Sequence, residues 1–135
     1  IVLSKKITKP FFIEDSGLYF EAYDNFPGVF PKFVIETIGF DGIFRLLKDK
    51  NRNAFFKAAI VYCEPGKEPV IFTGILKGRI SEVIENPDMD CFDYDKIFIP
   101  EDYPKTISNF LDKKNGFSHR GKAIRELGKY LKEEL

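Results

Sequence analysis

The sequence has no tryptophan, one histidine, one methionine and two cysteines in 135 residues, and its 21 lysines and arginines are cancelled by 21 aspartates and glutamates. Each shortage excludes a class. Cys63 and Cys91 are widely separated, form no CxxC pair and have only His119 as a conceivable co-ligand, which leaves too few soft ligands for a zinc centre. Thiols so placed fit a reducing, cytoplasmic compartment. Zero net charge, with both signs interspersed, removes the concentrated excess of cations on which phosphate-backbone binding relies. Nucleic acid is therefore not an expected partner, and any bound phosphate should sit in a local pocket. The apolar runs are only a few residues long against the ~20 needed to span a bilayer, and no basic-then-apolar leader opens the sequence. No membrane partner is expected.

What the sequence does have is phenylalanine, 15 of them within a 44% hydrophobic content. A chain of this size buries roughly two thirds of its unfolded surface, so residues 1–135 read as one domain that needs neither disulfide nor structural metal. Val2, Leu3 and Ile7 are spaced like the end of a helix that Pro10 stops. Phe11-Phe12-Ile13 and the alternating Leu18, Phe20 and Ala22 predict two strands flanking an acidic corner, Glu14-Asp15-Ser16-Gly17, with Gly17 allowing a sharp turn. Val34, Ile35 and Ile38 mark a helix closed by Gly39, and Asp41 is placed to cap a second helix carrying Ile43, Phe44, Leu46 and Leu47. Two β-rich runs, 54–64 and 70–84, are separated by Pro65-Gly66 and predict a hairpin of long strands. Within it Gly74 and Gly78 mark a bulge or a close backbone approach. A short helix is expected over 106–113, stopped by Asn115-Gly116. Ala123, Ile124, Leu127, Tyr130, Leu131 and Leu135 form one stripe of a terminal helix with Ser118 near its start. Strands and helices without repeat or linker predict one α/β unit around a mixed sheet.

Three constellations carry candidate chemistry, each beside a plainer alternative. Glu14-Asp15-Ser16-Gly17 offers hard oxygen ligands to magnesium and a carboxylate able to take a proton from water; an acidic turn is the alternative. Phe92-Asp93-Tyr94-Asp95 places two rings two residues apart for stacking on a flat base, with Asp95 as an acceptor; core aromatics and solvated acids are the alternative. Lys114 with Ser118-His119-Arg120, just before the last helix, makes a donor-rich corner; an N-cap serine beside solvated cations is the alternative. A Ser-His catalytic dyad is dismissed, because sequence-adjacent side chains diverge and Ser16 lacks a nucleophile-elbow context.

In order, these pieces resemble the Ham1 / inosine triphosphate pyrophosphatase family. The resemblance runs from Lys9-Pro10 to about Leu131, through Glu14-Asp15-Ser16-Gly17-Leu18, Phe26-Pro27-Gly28-Val29, Thr37-Ile38-Gly39, Gly78-Arg79-Ile80, Phe92-Asp93-Tyr94-Asp95 and Ser118-His119-Arg120-Gly121-Lys122-Ala123. It implies an elongated α/β fold on a mixed sheet flanked by helices, with a nucleotide cleft between two lobes. It also implies Mg²⁺-dependent hydrolysis of ITP, dITP and XTP to the monophosphate and pyrophosphate, usually by a homodimer. By position, Asp15 would be the metal-associated proton acceptor that activates water, and Ser16 would contact the nucleotide. Phe92, Asp93, Tyr94 and Asp95 would line the base and sugar pocket. Lys114, His119 and Arg120 would hold the base edge, with Ser118 positioning their loop.

Hypoxanthine and xanthine carry oxygen at C6 where adenine carries an amino group, so a donor-lined wall accepts the first two and leaves donors unpaired against the third. The sequence also departs from the family pattern. The expected opening strand and phosphate loop, with Ser/Thr, Asn and Lys, do not occur in these residues, nor does an upstream acid to share the metal. Asp93 stands in place of glycine and Lys96 in place of proline. These departures keep a second reading in view, a non-catalytic nucleotide-binding or dimerisation protein on the same fold.

Overall fold

A computed structural model describes residues 9–24 and 26–134. The helix end expected at Val2, Leu3 and Ile7 lies outside the described residues. Five strands form one sheet in the order β2-β1-β3-β4-β5: β1 (Phe11–Phe20), β2 (Pro27–Gly28), β3 (Asn53–Cys63), β4 (Val70–Ile80) and β5 (Phe98–Pro100). The α/β class stands, but every pairing among the described residues is antiparallel, where a mixed sheet was expected. The links explain this in part: β3 and β4 are joined by the tight Pro65-Gly66 turn, and such a hairpin cannot join parallel strands.

The acidic corner is not a corner. β1 runs unbroken from Phe11 to Phe20 and pairs residue for residue with β3, Glu14 opposite Ile60, Asp15 opposite Ala59 and Ser16 opposite Ala58. Polar residues are tolerated mid-strand because β2 covers only Leu18 and Tyr19 on the outer edge of β1, which leaves the edge at Glu14–Gly17 unpaired among the described residues. Gly17 does not turn the chain; a Cβ there would press on the Tyr19 hydroxyl and the Gly28 carbonyl.

α1 (Pro31–Leu46) begins on a proline and is broken at Gly39, whose φ of 67° and ψ of −176° are not helical. The two-helix expectation is met by that break, although Asp41 pairs with Arg45 at 3.1 Å rather than capping. The hairpin is regular through Gly74 and Gly78, so close approach rather than a bulge accounts for both glycines. The helix expected over 106–113 is two 3₁₀ turns, Ile107–Asn109 and Leu111–Lys113. Asn115-Gly116 continues into the short α2 (Lys114–Phe117) instead of stopping it. α3 (His119–Glu134) follows at once. Its stripe buries Ala123 and Leu127, while Ile124 is 52% exposed.

Alternation along β3 buries Ala54, Phe56, Ala58 and Ile60 on one sheet face. Two apolar clusters share that face. The larger gathers Leu18, Phe20, Phe56, Leu76 and Ile80 under α1 residues Val34 and Ile43, with Tyr94, Ile97 and Phe98 closing it. The smaller consists of Ala58, Ile60, Ala123 and Leu127, where α3 lies on β3 and β4.

Candidate functional site

Between the two clusters, at the open edge of β1, lies a cavity of about 1000 Å³. β1 supplies Glu14, Asp15, Ser16 and Gly17; β3 supplies Phe56; the α2–α3 segment supplies Lys114, Asn115, Ser118, His119, Arg120 and Gly121. Segments about a hundred residues apart in sequence therefore face one space. A smaller depression of about 410 Å³ beside Thr73–Ile75 lies outside this constellation.

The α3 N-terminus is fixed from several sides. Ser118 caps it, its Oγ accepting the Gly121 N–H at 3.0 Å. Arg125, two turns into the helix, donates from Nη1 to the Asn115 carbonyl and from Nη2 to the Gly116 carbonyl, each at 3.0 Å. Gly74 of β4 lets the helix start sit directly on the sheet: a Cβ there would strike the His119 carbonyl and stand 2.8 Å from the Ala123 nitrogen. These contacts hold Lys114, Ser118, His119 and Arg120 as one block.

His119 is 8% exposed and stacks on Phe56 with ring centroids 4.9 Å apart and planes 13° apart. Burial, reinforced by the cations of Lys114, Arg120 and Lys122, holds its pKa down at about 4. At neutral pH the imidazole is therefore uncharged, with one ring nitrogen donating and the other accepting. Lys114 Nζ lies 3.0 and 2.8 Å from the two Asp95 oxygens and 5.3 Å from the centre of the Phe92 ring. Asp95 itself is 1% exposed; burial raises its pKa against the opposing pull of Lys114. Arg120 reaches back to β1, where Glu14 receives it.

Among the described residues, two buried side-chain polar atoms lack a hydrogen-bond partner: Ser16 Oγ and His119 Nδ1. Buried polar groups are nearly always paired, and both of these belong to residues lining the same cavity. They are what a polar ligand would satisfy.

Of the residues singled out from sequence, Asp15, Ser16, Phe92, Lys114, Ser118, His119 and Arg120 converge on the cavity. Asp93, Tyr94 and Asp95 do not line it. The segment is a 3₁₀ turn over Asp93–Lys96 rather than an extended run, so alternation does not apply. Tyr94 is fully buried with its hydroxyl donating to the Pro31 carbonyl at 2.5 Å, Asp93 is exposed, and Asp95 sits behind Lys114. Lys96 is buried with its ammonium on the Pro87 carbonyl at 2.8 Å. Sequence reasoning missed Phe56, Pro31 and Ile124 as lining residues. Ile124 carried a misleading signal, since its helical spacing placed it on the buried stripe; Phe56 was one phenylalanine among many.

A family model described as Ham1 family matches residues 2–130. The chain is 44% identical over 135 residues to a protein of Thermococcus kodakarensis named dITP/XTP pyrophosphatase, covering 98% of this chain and 71% of that relative. A protein of the same name from Methanopyrus kandleri is 40% identical, with 98% and 70% covered. Among solved structures, the Ham1 protein of Staphylococcus aureus superposes with a TM-score of 0.78 at 29% identity, covering 97% of this chain and 71% of that one. A HAM1 protein from Coxiella burnetii gives 0.79 at 27% identity, with 96% and 71% covered. The matched residues and the shared fold together place this chain in the Ham1 family.

Proposed function

We propose that the cavity binds a non-canonical purine nucleoside triphosphate, of the ITP, dITP and XTP class, and that the chain is a pyrophosphatase releasing the monophosphate and pyrophosphate. The observation that carries this reading is the pair of orphaned buried atoms, Ser16 Oγ and His119 Nδ1, in one cavity with Lys114, Arg120 and Asp15. Lys114 and Arg120 present only donors. They suit the C6 oxygen of hypoxanthine or xanthine and offer nothing that accepts from the C6 amino group of adenine. Phe92, 45% exposed at the cavity, offers a ring face to the base.

Mg²⁺ is the metal this reading calls for. Among the described residues no group of three or more potential ligands exists, but Mg²⁺ commonly takes one or two carboxylates and completes its shell with waters and substrate phosphates. Asp15 fits that role, being exposed at the strand edge with no ion pair of its own among the described residues. When bound, the ion would supply charge neutralisation at the phosphates. In the reaction water opens the α–β phosphoanhydride, and Asp15 takes the proton that water gives up. His119, uncharged and stacked on Phe56, orients the base without adding charge to the pocket. We place the active form as a cytoplasmic homodimer. Unpaired Cys63 and Cys91 and the exposed Val29, Phe30 and Phe33 support that reading, which sedimentation of the purified protein checks.

The test is pyrophosphate release from ITP, dITP, XTP, GTP and ATP with Mg²⁺, using the full-length protein. Turnover of the first three should exceed that of the last two. Asp15→Asn should lose about 10²–10⁴-fold in kcat while its thermal unfolding stays that of the wild type. Undiminished turnover in the mutant would remove Asp15 from the mechanism, and nucleotide binding without turnover by the wild type would replace the enzyme with a binding protein.

A further inference from the structure

We propose that Glu14 is a positioning residue for nucleobase recognition, holding the Arg120 guanidinium in place from across the cavity mouth while its neighbour Asp15 serves the phosphate end. The proposal rests on the nucleotide reading above. Glu14 Oε1 lies 2.5 Å from Arg120 Nε, and Oε2 accepts from Nη2 at 3.0 Å. One N–H···O bond from Nη2 and a second close ion contact at Nε, on separate carboxylate oxygens, fix a planar guanidinium in orientation as well as position, which a single contact does not.

Strand geometry decides which partner is the anchor. Glu14 stands in ladder register with Ile60, a buried residue beneath α3, and its side chain is 23% exposed against 60% for Arg120. Alternation turns Asp15 away from Glu14, although both line the cavity at the open edge of the strand, and returns Ser16, with its orphaned hydroxyl, to the side of Glu14. Adjacent acids thus receive different tasks. Both Glu14 oxygens are engaged by Arg120, which leaves Asp15 as the uncommitted carboxylate of the pair. The carboxylate faces the Nε and Nη2 side of Arg120, so both Nη1 protons stay available to a keto oxygen.

A partly exposed ion pair adds little to stability, so the effect belongs in affinity. Freed from Glu14, the long Arg120 side chain would sample many rotamers and lose that freedom again on each binding event. Glu14 removes this cost in advance.

The experiment compares wild type, Glu14→Gln, Arg120→Lys and the double variant with ITP and XTP, alongside the Arg Nε–Hε NMR spectrum of the full-length protein without nucleotide. Glu14→Gln should raise KM about tenfold with kcat within about twofold. Arg120→Lys should raise KM comparably, and the double variant should be no worse than the poorer single, as expected for residues acting as one unit. A slowly exchanging Arg120 Nε–Hε signal should be present in the wild type and lost in Glu14→Gln. KM effects that multiply in the double variant, or a fall in kcat at unchanged KM as predicted for Asp15→Asn, would overturn the proposal. Persistence of the signal in Glu14→Gln would overturn the pairing alone. Its presence in a wild-type protein that neither binds nor turns over nucleotide would overturn the underlying nucleotide reading and the recognition role with it.

Discussion

The two apolar clusters lie on the same face of the same strands and are built from different materials. The larger one interlocks bulky side chains, with Phe56 within 4.7 Å of the Phe98 ring centre and Leu18, Ile43 and Ile97 fully buried. The smaller one uses Ala58, Gly74 and Ala123, so that helix backbone lies almost on strand backbone. Bulk fills space between layers; small residues abolish that space and bring polar main chain and a helix start to the sheet. The cavity opens where one regime gives way to the other, and Phe56 bridges them by stacking on His119.

If the division is real, damage to the larger cluster should cost stability and spare recognition. Phe20, 2% exposed in that cluster, tests this: Phe20→Ala should lose about 3–5 kcal/mol in denaturant unfolding. KM for ITP should hold near the wild-type value at temperatures where the variant is folded. A large rise in KM there would show that the clusters are not separable.

The next effect comes from the bridge. His119 titrates near 4 in the folded chain against an ordinary value near 6.5, so in that window the unfolded state binds more protons and stability rises with pH. The contribution is fully present above about pH 6.5 and is lost as pH falls through about 4, a change on the order of 3 kcal/mol. Unfolding free energies at pH 7 and pH 4, for wild type and His119→Asn, should differ by that amount in their pH slopes. Parallel slopes would mean that His119 is not buried as a neutral ring.

The smallest effect sharpens the comparison most. Gly74→Ala adds one methyl group against the His119 carbonyl and the Ala123 nitrogen, and should cost about 1–3 kcal/mol by pushing α3 away. Unlike Phe20→Ala, it should raise KM at the same time, because the displaced helix start carries His119 and Arg120. A loss of stability with unchanged KM would detach the helix start from recognition.

Much of this was legible in the sequence where local chemistry decides structure. Gly39 broke the first helical run as its position implied, Pro65-Gly66 set the hairpin, and Gly74 announced a close approach. The errors cluster where tertiary context overrides local pattern. Glu14-Asp15-Ser16-Gly17 has turn composition, yet it lies within a strand because its neighbour across the ladder is continuous and its outer edge faces the cavity. Phe92-Asp93-Tyr94-Asp95 has its two rings spaced for one side of an extended segment, but a 3₁₀ turn drives Tyr94 into the core and turns Asp93 outward. Ile124 obeyed the helical period and still faces the cavity, since nothing in a single helix tells which stretch of its stripe has a partner. The Glu14–Arg120 pair spans most of the chain, and no local pattern could announce it.

The clamp of Arg125 on the Asn115 and Gly116 carbonyls has an engineering consequence. It ties residues 114–125 into one block that meets the sheet at Gly74 and Phe56, through Ala123 against Ala58 and Ile60, through Lys122 on the Ile75 carbonyl and through Arg120 on Glu14. Altered base preference should therefore be obtainable by grafting that short cassette from one relative to another, provided that the β1 carboxylate facing Arg120 goes with it and the bulky packing of the larger cluster is left untouched.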